Sequence, residues 1–320
     1  MSEYQPPSSI LPLPESLALL DRVFGANTIL NDRGKDQVRA YYKQSLIGYE
    51  KYYHARGAMH MALNDGSEPG LGGFQKQVKR FRDLMSGEKM ENILELGSGA
   101  GFNLVWMAKN FPDAKVTGID LLPDHIGRTR KRAKKNGLTN MEAREGDFAS
   151  IPEDLGQFDL IYSVEALCHA PELPNLFKQI AARLRPGGRF MVFDSFRNFQ
   201  PGELSEDYAR AMEIAEITVA VNSGFHTVPA WMDAVKGAGL ELVADEDYNL
   251  QVLPTLVMLH ERCIGIEGGF KRVLMKTLPR YLARNGAAGL MGFHAHAPIP
   301  GRADGQGPLS YRCIAARKPE

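Results

Sequence analysis

Cysteine is scarce in this chain: Cys168, Cys263 and Cys313 are the only three in 320 residues, widely spaced and odd in number. No disulfide framework or thiolate metal site has that spacing, so a reducing, cytoplasmic setting is expected. A basic excess is also missing, since Lys plus Arg and Asp plus Glu each count 38. A general nucleic-acid binder needs that excess, and none is expected here. No apolar run approaches the ~20 residues of a membrane span. Residues 1 to about 14 are rich in proline and serine, lack the apolar centre of a secretion signal and read as a flexible arm. The length suits one elaborated domain or two small ones.

Glycine, by contrast, is concentrated where it matters. The run Asn92-Ile-Leu-Glu-Leu-Gly-Ser-Gly-Ala-Gly-Phe102 is an apolar strand with Glu95 near its end, then glycines at 97, 99 and 101, then a helical pattern. Such glycines allow a tight turn and let a ligand lie against bare main chain. A second strand, Lys115-Val-Thr-Gly-Ile-Asp120, ends in a carboxylate able to accept both hydroxyls of a ribose. A glycine-rich turn alone also fits a nicotinamide or flavin enzyme. Further matches follow in order: Gly146-Asp147-Phe148, Phe158-Asp159-Leu-Ile-Tyr-Ser163 and Leu184-Arg-Pro-Gly-Gly188. Together they resemble the class I, Rossmann-like methyltransferases that use S-adenosylmethionine.

The periodicities support an α/β chain with that sheet. Strands are expected at 92–96, 115–119, 141–145, 158–163 and 189–194, and helices at 102–110, 123–136 and 173–184. Strands at 240–244 and 309–316 would complete a seven-stranded sheet. The expected organisation is an arm and short helix (1–36), a helical substrate lid (37–86) and a core (87–320). Cap insertions are expected at about 197–228 and 254–307, with 285–307 read as a glycine- and proline-rich loop carrying His294 and His296. The cations at 128–135 read as a solvated helix face near a C-terminus, where the dipole favours them, rather than as a phosphate patch.

The resemblance implies the cofactor contacts. Glu95, Gly97, Ser98, Gly99 and Gly101 would surround the methionine part, Asp120 and Leu121 the ribose, and Asp147 and Phe148 the adenine. Tyr41, Asn103 and Ser163 complete the expected shell. Asp120 and Asp147 could instead be capping residues at strand ends.

The segment Tyr162-Ser-Val-Glu165-Ala-Leu-Cys168-His169-Ala-Pro171 is more specific. It resembles the sterol C-24 methyltransferases, whose pattern there is isoleucine-glutamate-alanine-threonine-cysteine-histidine-alanine-proline, with Leu167 standing in place of the threonine. The C-methyltransferases of prenyl diphosphates also keep a glutamate at the Glu165 position. The segment around Tyr41, Tyr42 and Tyr49, with Gly57-Ala-Met-His60-Met, is similar to the substrate-covering N-terminal segment of that superfamily.

An alkene has no proton to lose before attack, so its methylation generates a carbocation. A buried anion and aromatic faces would stabilise that cation, and a base would end the reaction. Glu165 is the expected anion, His169 or a tyrosine the base or relay, and Tyr49, Tyr52 and Tyr53 the walls. A basic, histidine-containing C-terminal cap favours a prenyl diphosphate over a sterol; a diphosphate would bring Mg2+, although no protein metal site is visible. The in-class rival is O- or C-methylation of a phenolic, polyketide or quinone metabolite. The rival outside the class is a nicotinamide-dependent oxidoreductase, which leaves the Glu165 segment unexplained. A homo-oligomer is compatible with all of these.

Overall fold

The computed structural model describes residues 4–32, 37–49, 57–64, 72–265 and 277–320. Seven strands form one sheet in the order β3-β2-β1-β4-β5-β7-β6. The strands are β1 (Asn92–Leu96), β2 (Lys115–Asp120), β3 (Met141–Glu145), β4 (Phe158–Val164), β5 (Leu184–Arg197), β6 (Glu241–Asp247) and β7 (Leu309–Arg317). The first five run parallel, and β7 lies antiparallel between β5 and β6. The order reverses between β1 and β4, and a crevice opens there beyond the carboxyl ends of the strands.

Apolar side chains cover both faces, as a parallel sheet requires. On one face α4 (Lys76–Leu84) brings Val78 and Phe81, and α5 (Phe102–Asn110) brings Leu104 and Met107. On the other, α7 (Leu173–Arg183) brings Leu176, Phe177 and Ile180, and α9 (Val228–Gly237) brings Trp231. The basic helix is α6 (Pro123–Lys135). A further apolar cluster joins α1 (Leu13–Val23) and α2 (Ala26–Leu30) to α8 (Glu206–Thr218) and α11 (Arg280–His296). Next to it stand α3 (Gln37–Gly48), which packs on α11, and α10 (Asn249–Ile264).

One expectation is corrected. Much of the glycine-rich stretch expected as a loop over 285–307 is the helix α11. Its glycines mark close helix approach: a Cβ at Gly289 would sit 2.4 Å from Cys263 Sγ of α10, and one at Gly292 3.2 Å from a Leu256 methyl. His294 and His296 consequently sit in packed interior and are not among the residues lining the crevice beyond the strand ends. His294 Nε2 lies 3.0 Å from Ser16 Oγ. His296 meets Gly292 O and Ser195 Oγ at 3.0 and 3.1 Å. Burial pushes both rings down to about 4, so they are neutral struts at ordinary pH.

Candidate active site

The glycine-rich turn after β1 owes its shape to packing as much as to any ligand. Gly97 and Ser98 both donate to Ile119 O at 2.9 Å, which folds the turn onto β2. Gly97 has φ +72°, and a Cβ there would lie 2.4 Å from the Ala166 methyl at the end of β4. Gly101, at φ +81°, begins α5, and a Cβ there would strike the Thr129 side chain at 2.6 Å. Its lack of a side chain thus serves contact between helices, and it does not line the cleft.

That cleft lies above the carboxyl ends of β1, β2 and β4 and measures about 1100 Å³ with the open solvent at its mouth included. Of the expected cofactor contacts, Glu95, Gly97, Ser98, Gly99, Asn103, Asp120, Leu121, Asp147 and Phe148 line it. Glu165 and His169 line it too. Ser163 does not: its Oγ donates to Leu96 O at 2.9 Å inside the sheet, because β4 turns that side chain toward β1. Tyr41 and Tyr49 stand behind the lining with their hydroxyls 2.7 Å apart, packed with Tyr281 and Ala220. Burial raises both phenols, that of Tyr49 to about 12. Tyr52 and Tyr53 lie outside the described residues.

Two carboxylates shape the end of the cleft beside the glycine-rich turn. Asp120 Oδ2 accepts from Gly99 N at 2.8 Å, and Oδ1 accepts from Leu122 N at 3.0 Å and from His125 Nδ1 at 3.1 Å. Glu95 is buried, which drives its carboxyl well above the usual range. Glu95 Oε2, Ser98 Oγ and Asn103 Oδ1 have no hydrogen-bond partner among the described residues. A buried carboxyl of that kind calls for a cation, and the α-ammonium of adenosylmethionine is one, so this end of the cleft fits the cofactor. Asp147 spends one oxygen on Ala149 N at 2.8 Å and remains exposed at the rim.

Glu165 sits just beyond β4 with φ +51°, a left-handed backbone that side chains other than glycine rarely adopt. Its own N–H donates to Phe193 O at 2.8 Å. Its Oε1 accepts from Met61 N at 2.7 Å and from the Tyr311 hydroxyl at 2.8 Å. Burial lifts this carboxyl to about 8, against the pull of those two donors. Beneath it, Asp194 accepts from Cys168 N and Ser195 N, each at 2.9 Å, and burial raises its carboxyl to about 7.

His169 meets the Tyr42 hydroxyl through Nε2 at 3.2 Å, and burial lowers its ring to about 4. The Tyr42 ring packs edge-on against both His169 and His125. The residues 57–64 close one side of the cleft with Gly57, Met59 and His60. Glu165 holds this segment from within, and Gln77 holds it from behind by donating to Met61 O at 2.6 Å.

The sequence gives little warning of Met61, Gln77, His125 or Tyr311. Met61 acts through its main chain, and Tyr311 is one residue in an alternating strand. Two cations of the basic C-terminal cap, Arg280 and Arg284, both pair with Asp32 and stack on Tyr281. The stretch 270–276 lies outside the described residues.

A family model described as a methyltransferase domain matches residues 93–188. The arsenite methyltransferase of Halobacterium salinarum is 30% identical over 196 residues, 58% of this chain and 48% of that protein. The 27-O-demethylrifamycin SV methyltransferase of Amycolatopsis mediterranei is 28% identical over 252 residues, 77% of this chain and 85% of that protein. The sterol 24-C-methyltransferase of Saccharomyces cerevisiae is 29% identical over 156 residues, 48% of this chain and 40% of that protein. The chain spans about half, or less, of the length of the arsenite and sterol enzymes. Among solved structures, the [4+2]-cyclase SpnF superposes with a TM-score of 0.68 at 16% identity, covering 88% of this chain and 96% of that one. The geranyl diphosphate C-methyltransferase of Streptomyces coelicolor superposes with a TM-score of 0.60 at 14% identity, covering 90% and 98%. The chain therefore carries a class I, Rossmann-like domain of the adenosylmethionine-dependent methyltransferases.

Proposed function

We propose that this methyltransferase domain transfers a methyl group from adenosylmethionine to an alkene carbon of an isoprenoid, with Glu165 as the group that meets the positive charge. When bound, the cofactor supplies a methyl already activated by its sulfonium. Glu95 would hold the ammonium end, Asp120 the ribose and Phe148 the adenine side. As the new C–C bond forms and the S–CH3 bond breaks, the charge passes to the acceptor carbon. Loss of a proton from the neighbouring carbon then restores the alkene.

The observation that carries this reading is the Glu165 carboxyl itself, lining the cleft with a strained backbone and, among the described residues, one oxygen engaged. A preorganised anion of this kind stabilises charge that develops in the transition state and is worth little to a neutral acceptor. A carboxyl lifted to about 8 is drawn back to its ionised form by a nearby cation, and it is also basic enough to take the final proton. His169, near 4, is a weak base and serves better as a neutral polar wall with Tyr42.

The acceptor is further proposed to be a prenyl diphosphate. Arg39 at the rim of the cleft supports that narrower class; the histidines of α11 no longer do. A diphosphate would bring its own Mg2+, and no group of residues with the makings of a metal site occurs among the described residues. A second reading is O-methylation, favoured by the length shared with the rifamycin-modifying relative; Glu165 would then be the base for a hydroxyl. The deciding experiment is incubation with labelled adenosylmethionine and a panel of prenyl diphosphates, neutral isoprenoids and phenols, followed by mass analysis. A new C–CH3 bond on an isoprenoid supports the proposal, and methyl ethers alone overturn it.

A further inference from the structure

Glu165 does not stand free on the cleft wall, and the way it is held has a consequence of its own. Both of its donors choose the same oxygen. Met61 N comes from the segment 57–64, near the start of the chain, and the Tyr311 hydroxyl comes from β7, near its end. Oε2 has no hydrogen-bond partner among the described residues, on a side chain that lines the cleft. A main-chain N–H cannot rotate away or reverse its role, so a proton taken up by this carboxyl is steered to Oε2. Gln77, buried on α4, fixes that N–H by donating to the carbonyl of the same residue at 2.6 Å.

The same segment forms one side of the cleft through Gly57, Met59 and His60. It is anchored at further points: His60 Nε2 donates to Phe74 O at 2.8 Å, Leu63 N to Gly73 O at 3.1 Å and Asn64 N to Gln251 O at 2.8 Å. Among the described residues, the Met61 N–H joins this wall to the carboxyl.

We infer that Gln77 and Tyr311 are positioning residues for the methyl transfer: Tyr311 and the Met61 N–H bind one oxygen of Glu165, Gln77 fixes Met61 from behind, and the other oxygen is presented to the acceptor. Docking of the cleft wall and orientation of the carboxylate are then a single event. The inference rests on the alkene-methylating reading for its importance to turnover, but the geometry of the clamp is independent of the acceptor. The donors also favour the ionised form, against burial and against Asp194 on β5. The other titratable groups facing the carboxyl are Tyr41, Tyr42 and Tyr49 of the N-terminal helix region, Cys168 in the turn after β4, and Tyr311 itself.

The test uses the whole chain labelled with 13C-glutamate at the carboxyl carbon. The resonance missing from Glu165→Gln is Glu165, and its titration is followed with adenosylhomocysteine present and absent. Tyr311→Phe and Gln77→Met should each move its midpoint upward by about half a unit or more, the direction expected when donors to the charged form are lost. On the acceptor found by the panel, each should lower kcat by about 10-fold, displace its rising limb to higher pH and leave the KM for the cofactor nearly unchanged. A midpoint unmoved in both folded variants overturns the inference. So does a lowered kcat with an undisturbed pH limb, since that marks a merely structural role. If Glu165→Gln keeps normal turnover while the midpoints shift as expected, the alkene reading fails and the clamp stands.

Discussion

The main-chain amide of Met61 donates to Glu165 Oε1 at 2.7 Å, across 104 positions of sequence. This bond ties an N-terminal segment to the point where the sheet order reverses, the place where an open α/β sheet takes its ligand. The cleft is therefore completed by a part of the chain that lies outside the Rossmann-like core.

The pH dependence of turnover follows from that arrangement. If the ionised carboxyl is the working form, the rate rises with pH through its midpoint. For kcat/KM of the cofactor, which reports the free enzyme, the rising limb should lie near 8. For kcat the limb should move lower, because a bound sulfonium favours the carboxylate. Steady-state rates between pH 5 and 9 check this, and a falling limb in that range contradicts it.

The same group makes stability depend on pH. Its folded value, about 8, exceeds the ordinary 4.5, so the fold favours the neutral form. That stabilisation is whole below 4.5 and drains away as pH rises to about 8. A glutamine there keeps an oxygen for Met61 N and Tyr311 and never needs to ionise. Glu165→Gln should therefore melt higher than the parent at pH 8.5 and at nearly the same temperature at pH 4.5. Asp194 titrates in an overlapping window and repels the Glu165 charge, so removing that charge also eases the ionisation of Asp194 and moves the melting temperature in the same direction. A Glu165→Gln variant that melts lower at pH 8.5 would count against the buried, uncompensated carboxyl.

Much of this fold is legible in the sequence, for a definite reason. The strands at Asn92, Lys115 and Phe158 are apolar runs closed by glycine, aspartate and glutamate in turn, and the pattern survives because both faces of a parallel sheet are buried. The same logic placed Glu95, Asp120 and Glu165 at strand ends. What stayed hidden depends on contacts between distant segments. Glycines 286, 289 and 292 read locally as a loop, whereas Cys263 and Leu256 show them to be a helix packed tightly on its neighbour. Tyr311 and Met61 gain their meaning only from Glu165, which lies more than a hundred residues from either in sequence.

Asp120 should contribute to cofactor affinity. Among the described residues its Oδ2 accepts a single bond, from Gly99 N, which leaves room for a ribose hydroxyl. Asp120→Ala should weaken adenosylmethionine by ~1–3 kcal/mol, the usual loss for a charged hydrogen-bond partner. Calorimetry giving an unchanged Kd would remove Asp120 from the cofactor site.

Gly101 should behave differently from its neighbours in the same turn. An alanine there takes on a left-handed backbone and meets Thr129 at 2.6 Å. Gly101→Ala should cost ~1–3 kcal/mol of stability, yet leave cofactor affinity nearly intact in the folded protein. A stable variant with a large affinity loss would return Gly101 to the ligand surface.

The central claim is that Glu165 meets positive charge developing on the acceptor. Glu165→Gln keeps its shape and removes that charge. Single-turnover rates and calorimetry on this variant, with the isoprenoid acceptor found by the panel, test the claim most directly. The variant should lose about 100-fold or more in rate and bind adenosylmethionine nearly as tightly as before. A near-normal rate with intact binding would contradict it, and with it any reading in which the Glu165 carboxylate acts on the acceptor.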